Sequence, residues 1–241
     1  MMNKVFIIDA KRSPIGSYLG SLRNVTAPEL GAQVLKGMLA PYPTLLDKVD
    51  EVVLGNILPA GVKQGIGRQV SIGAGLSKDI PAYAVNMVCG SGMKSVMNAY
   101  ANILSGIHRF VIAGGVESMS NAPYILPSQV RDGVRMGDIG AYDHMIYDAL
   151  TDAFTHVHMG ITAENVAKKH NLSREAQDKF AFESLSKAKA AIESGRFKDE
   201  IVPVEITVKK NKVLFDTDEH PKFETTLESL AKLRPAFDKD G

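Results

Sequence analysis

The chain of 241 residues holds a single cysteine, Cys89, in the stretch "VNMVCGSGMKSV" from Val85 to Val96. A thiolate is a strong nucleophile, and backbone N–H groups at a helix N-terminus favour it over the thiol. The residues before Cys89 read as a strand and those after it as a helix, so the cysteine falls on a strand-to-helix turn. Gly90 and Gly92 flank Ser91, which lets the backbone bend sharply and approach a ligand closely. Free N–H groups at such a turn, those of Cys89 and Gly90 first, can hold a developing oxyanion. The competing reading is an inert, buried thiol, because free cysteine is among the most buried residue types. The glycine-flanked turn favours the nucleophile.

Other residues offer weaker chemistry. His156 and His158 stand in an H-x-H spacing, but no matching cysteine or carboxylate motif completes a metal site, and no metal is expected. His158 directly precedes Met159-Gly160 and a helix start, where an imidazole can bind a ligand, move a proton, or simply hydrogen-bond its own loop. "GIGRQV" (Gly65–Val70) imitates a dinucleotide loop, yet it has Val in place of the third glycine and does not directly follow a strand. No phosphate-binding G-x-x-x-x-G-K-[ST] motif occurs. The region after residue 205 is locally basic through Lys209, Lys210, Lys212, Lys222, Lys232 and Arg234, and is offset by Asp216, Asp218 and Glu219. It reads either as a solvated surface or as a contact for a phosphorylated cofactor.

The elements that must position these groups alternate. Strands are expected at Lys4–Asp9, Glu51–Leu58, Ala82–Val88 and Arg109–Glu117. Thr26-Ala-Pro-Glu29 has capping-box spacing and opens a helix through Leu39. A short helix over Gly65–Leu76 and a longer one over Ser91–Ser105 follow. The latter carries Met93, Val96, Met97, Tyr100, Ile103 and Leu104, continued by Ile107, as one apolar stripe, with small residues elsewhere, and is expected to be buried on most faces. This alternation predicts an α/β fold, with a mixed, mostly parallel sheet covered by helices. The pattern changes near residue 118. A long irregular stretch follows, then helices over Thr162–Lys169 and Arg174–Ser194 and an edge strand over Ile201–Lys210. This divides the chain into a core domain, 1–118, and a loop domain, 119–241.

Composition excludes several classes. Lys+Arg total 28 against 27 Asp+Glu, a net charge of +1, so neither nucleic acid nor a membrane surface is the expected partner. Apolar residues at 45% and charged residues at 23% fit an ordinary globular protein. One cysteine excludes an intrachain disulfide framework, and the apolar run Val5–Ile8 is too short for a signal-peptide core. A cytoplasmic protein is expected.

Four segments in this order, "VNMVCGSGMKSV", "AGGVESMSNAPY", "HMGITAENVA" and "KLRPAFDKDG", together with "KRSPIG" near the start, resemble the thiolases, and among them the N-terminal portion of the bacterial, short-chain biosynthetic acetyl-CoA acetyltransferases. The resemblance implies that Cys89 attacks an acyl-CoA thioester and becomes acylated. It implies coenzyme A thioesters as substrates and no covalently bound cofactor. It places His158 near the pantetheine, Met159 in the acyl pocket wall, Leu150 and Ser229 along the coenzyme, and, less directly, Lys222 near its phosphates. Residues 121–143 match a loop that joins dimers, which implies a homodimer or homotetramer.

The family continues past "LRPAFDKDG" with a coenzyme-contacting segment and a second half of similar fold, and this sequence contains neither. Its expected Gly-His-Pro histidine and second cysteine are missing here; His220-Pro221 follows Glu219 instead. The 241 residues alone are therefore expected to be nearly inactive and to expose an apolar half-interface that favours self-association. A ketoacyl-synthase relative and a non-catalytic scaffold are the alternative readings.

Overall fold

The computed structural model describes residues 4–241. Its centre is a three-stranded parallel sheet of order β2-β1-β3, made of β1 (Glu51–Gly55), β2 (Ala82–Val85) and β3 (Val111–Gly115). β1 is buried along its whole length because it is the middle strand and helices cover both faces. Val52 and Leu54 point to one face, against α1 (Ala27–Leu39) and α2 (Ile66–Gly73), in a cluster with Leu35, Leu39, Ile66 and Val70. Val53 and Gly55, one step out of phase, point to α3 (Ser91–Leu104) on the other face. α3 leaves β2, crosses β1 and delivers the chain to β3.

Helix α1 forms where its capping box predicts: Thr26 and Glu29 satisfy each other's backbone N–H groups, and Pro28 lies in the first turn. β2 is shorter than the expected Ala82–Val88, because the chain turns away after Val85 to build the Cys89 turn.

Two expectations are corrected. Lys4–Asp9 forms no strand among the described residues, and Phe6, Ile7 and Ile8 are 74%, 81% and 61% exposed. A strand exists only through the partner that accepts its hydrogen bonds, and no described strand pairs with Lys4–Asp9, although β2 and β3 each keep an outer edge. Helix α3 is also turned the other way from its apolar stripe. Ser91, Ser95 and Ala99 face the sheet, whereas Met93, Val96, Met97 and Tyr100 are exposed. Close approach decides this: Ser95 Oγ donates to the Gly114 carbonyl on β3 at 2.7 Å, a contact that only a small side chain permits.

Beyond β3 the chain runs through short turns and a two-stranded ladder of β4 (Tyr124–Ile125) and β5 (Tyr142–Asp143). A single turn of π-helix (the π-turn) follows at Met145–Ala149. α4 (Met159–His170) and α5 (Arg174–Glu193) come next, the latter capped by Ser173. β6 (Val204–Val208) pairs with β7 (Asn211–Phe215) in a hairpin, and α6 (Leu227–Ala231) ends the regular structure. Val204 and Ile206 pack on Val25 and Leu30, joining the hairpin to α1. No helix among the described residues is long and apolar enough to cross a membrane.

Candidate active site

Cys89 is exposed and sits just before Gly90, the N-cap of α3. Among the described residues no side chain hydrogen-bonds or ion-pairs with its thiol. The sharp bend is at Val88, with φ +48°, and not at a glycine: Gly90 has φ −86°. A β-branched residue in the left-handed region is strained by roughly 1–3 kcal/mol. Three hydrogen bonds hold it there. Val88 N–H donates to Asn86 Oδ1 at 2.9 Å, Ser91 Oγ donates to the Val88 carbonyl at 2.6 Å, and Met87 N–H donates to Ser91 Oγ at 2.9 Å. The buried Ser91 hydroxyl thus clasps both sides of the bend.

Gly90 serves the turn differently from expectation. Its N–H is committed to the Met87 carbonyl at 3.0 Å and is not free for an oxyanion. A Cβ at Gly90 would meet the Met87 methyl group, the free end of a side chain that must shift to admit it. Gly55 and Gly115, paired across β1 and β3, both crowd against Gly92. The start of α3 is therefore seated on bare backbone, which fixes the height of Cys89 above the strand ends.

A second group forms around His158. Its Nδ1 accepts the Gly160 N–H at 3.0 Å, so His158 is the N-cap of α4 and its ring orientation is locked. This Nδ1 role leaves the ring proton on Nε2. The ring stacks on Phe237 at 4.8 Å between centroids, and Gly160 leaves the space that the Phe237 ring fills. Met159 N–H donates to the Leu150 carbonyl at 2.8 Å, and Thr151 bridges to His158. Leu150, His158 and Met159 therefore form one edge. His156 belongs to a turn closed by its N–H on the Asp152 carbonyl.

Lys222 and Ser229 lie elsewhere, both exposed, beside a cleft of about 400 Å³ between α5 and α6. Phe182, Leu185, Lys189, Phe223 and Thr226 line it, and the Lys189 ammonium stands 5.9 Å from the Phe223 ring centre. Ser229 is also structural: with Thr226 it closes the capping box of α6. Among the described residues no hydrogen bond links Cys89 to this cleft.

Sequence reasoning missed Asn86, Val88, Glu117 and Phe237. Asn86 had a visible signal, an amide three residues before the cysteine and able to accept from the turn. Phe237 had none, because its partner is 79 residues away by the numbering of His158 and Phe237. Glu117 follows β3 and accepts from Asn56 Nδ2 at 2.8 Å, Ile57 N–H at 2.8 Å and Leu58 N–H at 3.0 Å. Burial pushes its carboxyl above the usual range, against the pull of those donors.

Residues 5–241 match the family model for the thiolase N-terminal domain. The chain is 50% identical to proteins named acetyl-CoA acetyltransferase from Allochromatium vinosum and Pseudomonas aeruginosa, covering 100% of this chain and 61% of each relative. It also superposes on the crystal structure of the Bacillus anthracis acetyl-CoA acetyltransferase with a TM-score of 0.95 at 40% identity, over 60% of that chain. The chain thus spans about three-fifths of the length of these relatives. A lone cysteine on a braced strand-to-helix turn, within an α/β core that superposes on such a structure, leads to one assignment: the chain belongs to the thiolase family and carries its N-terminal domain.

Proposed function

We propose that the protein is an acetyl-CoA C-acetyltransferase, joining two acetyl-CoA molecules into acetoacetyl-CoA and running the reverse thiolysis. The observation that carries this reading is the exposed, only cysteine at a strained, serine-clasped turn, in a chain 50% identical to proteins of that name.

In the proposed cycle the Cys89 thiol gives up its proton and Sγ attacks the thioester carbonyl carbon. The carbon–sulfur bond to coenzyme A breaks, and the departing thiolate takes up a proton. A second acetyl-CoA then loses an α-proton to a base. Its carbanion attacks the acetyl-Cys89 carbonyl, the new carbon–carbon bond forms, and Sγ leaves. Residues 1–241 contain no second cysteine to move that proton. The 241 residues by themselves are accordingly proposed to turn over poorly.

The Leu150–His158–Met159 edge is read as the pantetheine and acyl wall, with His158 Nε2–H as a hydrogen-bond donor. The cleft between α5 and α6 is read as an adenosine site: Phe182, Phe223 and Leu185 line it and nearby Lys222 adds positive charge, while Lys189 pairs with Glu193 at 4.0 Å and Glu228 also lines the cleft. Residues 1–118 would act as the nucleophile-bearing domain and 119–241 as the coenzyme-contacting and assembly region, in a cytoplasmic homodimer or homotetramer.

The test is coenzyme A-dependent cleavage of acetoacetyl-CoA. The 241-residue protein should show little turnover. Joined to the remaining two-fifths of a curated relative, it should turn over, and Cys89→Ala should remove the activity by at least roughly a thousandfold. Activity that survives Cys89→Ala would overturn the proposal.

A further inference from the structure

His144 is 4% exposed, begins the π-turn, and has no part in the chemistry above. π-Turns are rare and occur often at functional sites. Its backbone N–H donates to the Pro123 carbonyl at 3.1 Å. Its ring Nδ1 stands 2.6 Å from Asp148 Oδ2, and its Nε2 accepts the Ala60 N–H at 3.4 Å. With Nε2 accepting, Nδ1 carries the proton and donates to Asp148. The buried ring thus joins the segment after β1 to the turn it precedes, and the His144 backbone N–H ties the same residue to the segment before β4.

The connections continue on both sides. Toward the nucleophile, Ala60 follows Ile57 and Leu58, whose N–H groups Glu117 holds. The Ile57 carbonyl accepts Asn86 Nδ2 at 3.5 Å, and Asn86 Oδ1 accepts the N–H of strained Val88, next to Cys89. Toward the other group, the π-turn ends where Leu150 N–H meets the Ile146 carbonyl at 3.3 Å, and the Leu150 carbonyl holds Met159. Apart from this path, among the described residues no hydrogen bond ties residues 145–149 to the segment after β1.

We infer that His144 is a positioning residue for acyl-CoA binding: by bridging Ala60 and Asp148 it sets the Leu150–Met159 edge relative to the Cys89 turn. This rests on the acyl-CoA reading. The titratable groups around the ring are Asp148 on its own turn and Glu117 behind the Ala60 segment. The ring acts here through its two hydrogen-bond partners, Ala60 and Asp148.

The only cysteine gives a clean test in the 241-residue protein. Iodoacetamide labels Cys89, and protection by added coenzyme A yields a dissociation constant without turnover. His144→Ala is expected to weaken protection about tenfold while leaving unliganded labelling within about twofold, since the edge moves and the turn does not. His144→Asn, which can still donate to Asp148, is expected to recover most of the affinity, an outcome that general loosening would not give. Asp148→Ala, which removes no buried side chain, is expected to match His144→Ala and carries the test if that variant does not fold. Wild-type protein that coenzyme A fails to protect would overturn the acyl-CoA reading itself. A protected wild type with equally protected His144→Ala or Asp148→Ala would overturn the role of His144 alone.

Discussion

Gly55 on β1 and Gly92 in the first turn of α3 touch through their backbones: a Cβ on Gly55 would lie 2.5 Å from the Gly92 nitrogen. At Gly92 the helix that follows Cys89 therefore rests backbone to backbone on the central strand. Gly55→Ala should push α3 off the sheet and lower the unfolding free energy by roughly 1–3 kcal/mol. Gly92→Ala meets nothing within 4 Å and should stabilise by about 0.5–1 kcal/mol through helix propensity. Urea denaturation of the two variants checks this; equal effects would mean that the strand–helix contact is not the constraint.

Val88 stores strain next to Cys89. Val88→Gly relieves a left-handed β-branched residue whose side chain is half exposed, at the cost of a more flexible unfolded chain. The net expectation is unchanged stability or a gain of up to about 1 kcal/mol, measured by thermal unfolding. A loss greater than that would show that Val88 packing outweighs its strain.

Gly160 and Phe237 are complementary, the ring filling the space that a Cβ would need. Gly160→Ala should destabilise in the wild-type background, displacing the ring from His158, and cost much less in a Phe237→Ala background. The cycle should give a coupling of about 1–2 kcal/mol. Additive effects would contradict the contact.

Arg12 ties the N-terminal loop to the far end of the chain. It makes two parallel bonds to Asp218, at 2.7 and 2.9 Å, and a third to Glu200 at 2.6 Å. Burial would raise the Asp218 carboxyl, but Arg12 and the Ile15 N–H outweigh it and hold that carboxyl below its usual range. A depressed folded value means that this stability is present above the ordinary carboxylate range and is lost as pH falls through the depressed value. Asp218→Asn should therefore cost about 1–2 kcal/mol near neutrality, and the difference from wild type should shrink in acid. Unfolding free energies across pH 2–7 test it; a difference that grows in acid would reverse the sign and sink the claim.

Legibility in the sequence followed locality. The Thr26–Glu29 box, the Cys89 turn and the Ser173 cap rest on residues within four positions of one another, and each formed where expected. The apolar stripe of α3 misled because period alone does not say which face meets a sheet; the need for small residues at Gly114 and Gly115 did. β7 was missed because its turn is Lys209-Lys210, both at positive φ, without the Asn-Gly that announces a hairpin. The His158–Phe237 stack and the His144 bridge join distant segments, and no short-range pattern encodes them.

The central claim is that Cys89 accepts an acyl group from a coenzyme A thioester. Incubating the 241-residue protein with acetyl-CoA and mapping the product by peptide mass spectrometry tests it most directly. The account predicts one acetyl group on the peptide containing Cys89, absent from Cys89→Ala and removed again by free coenzyme A. Acetylation confined to lysines, or unchanged in Cys89→Ala, would contradict it.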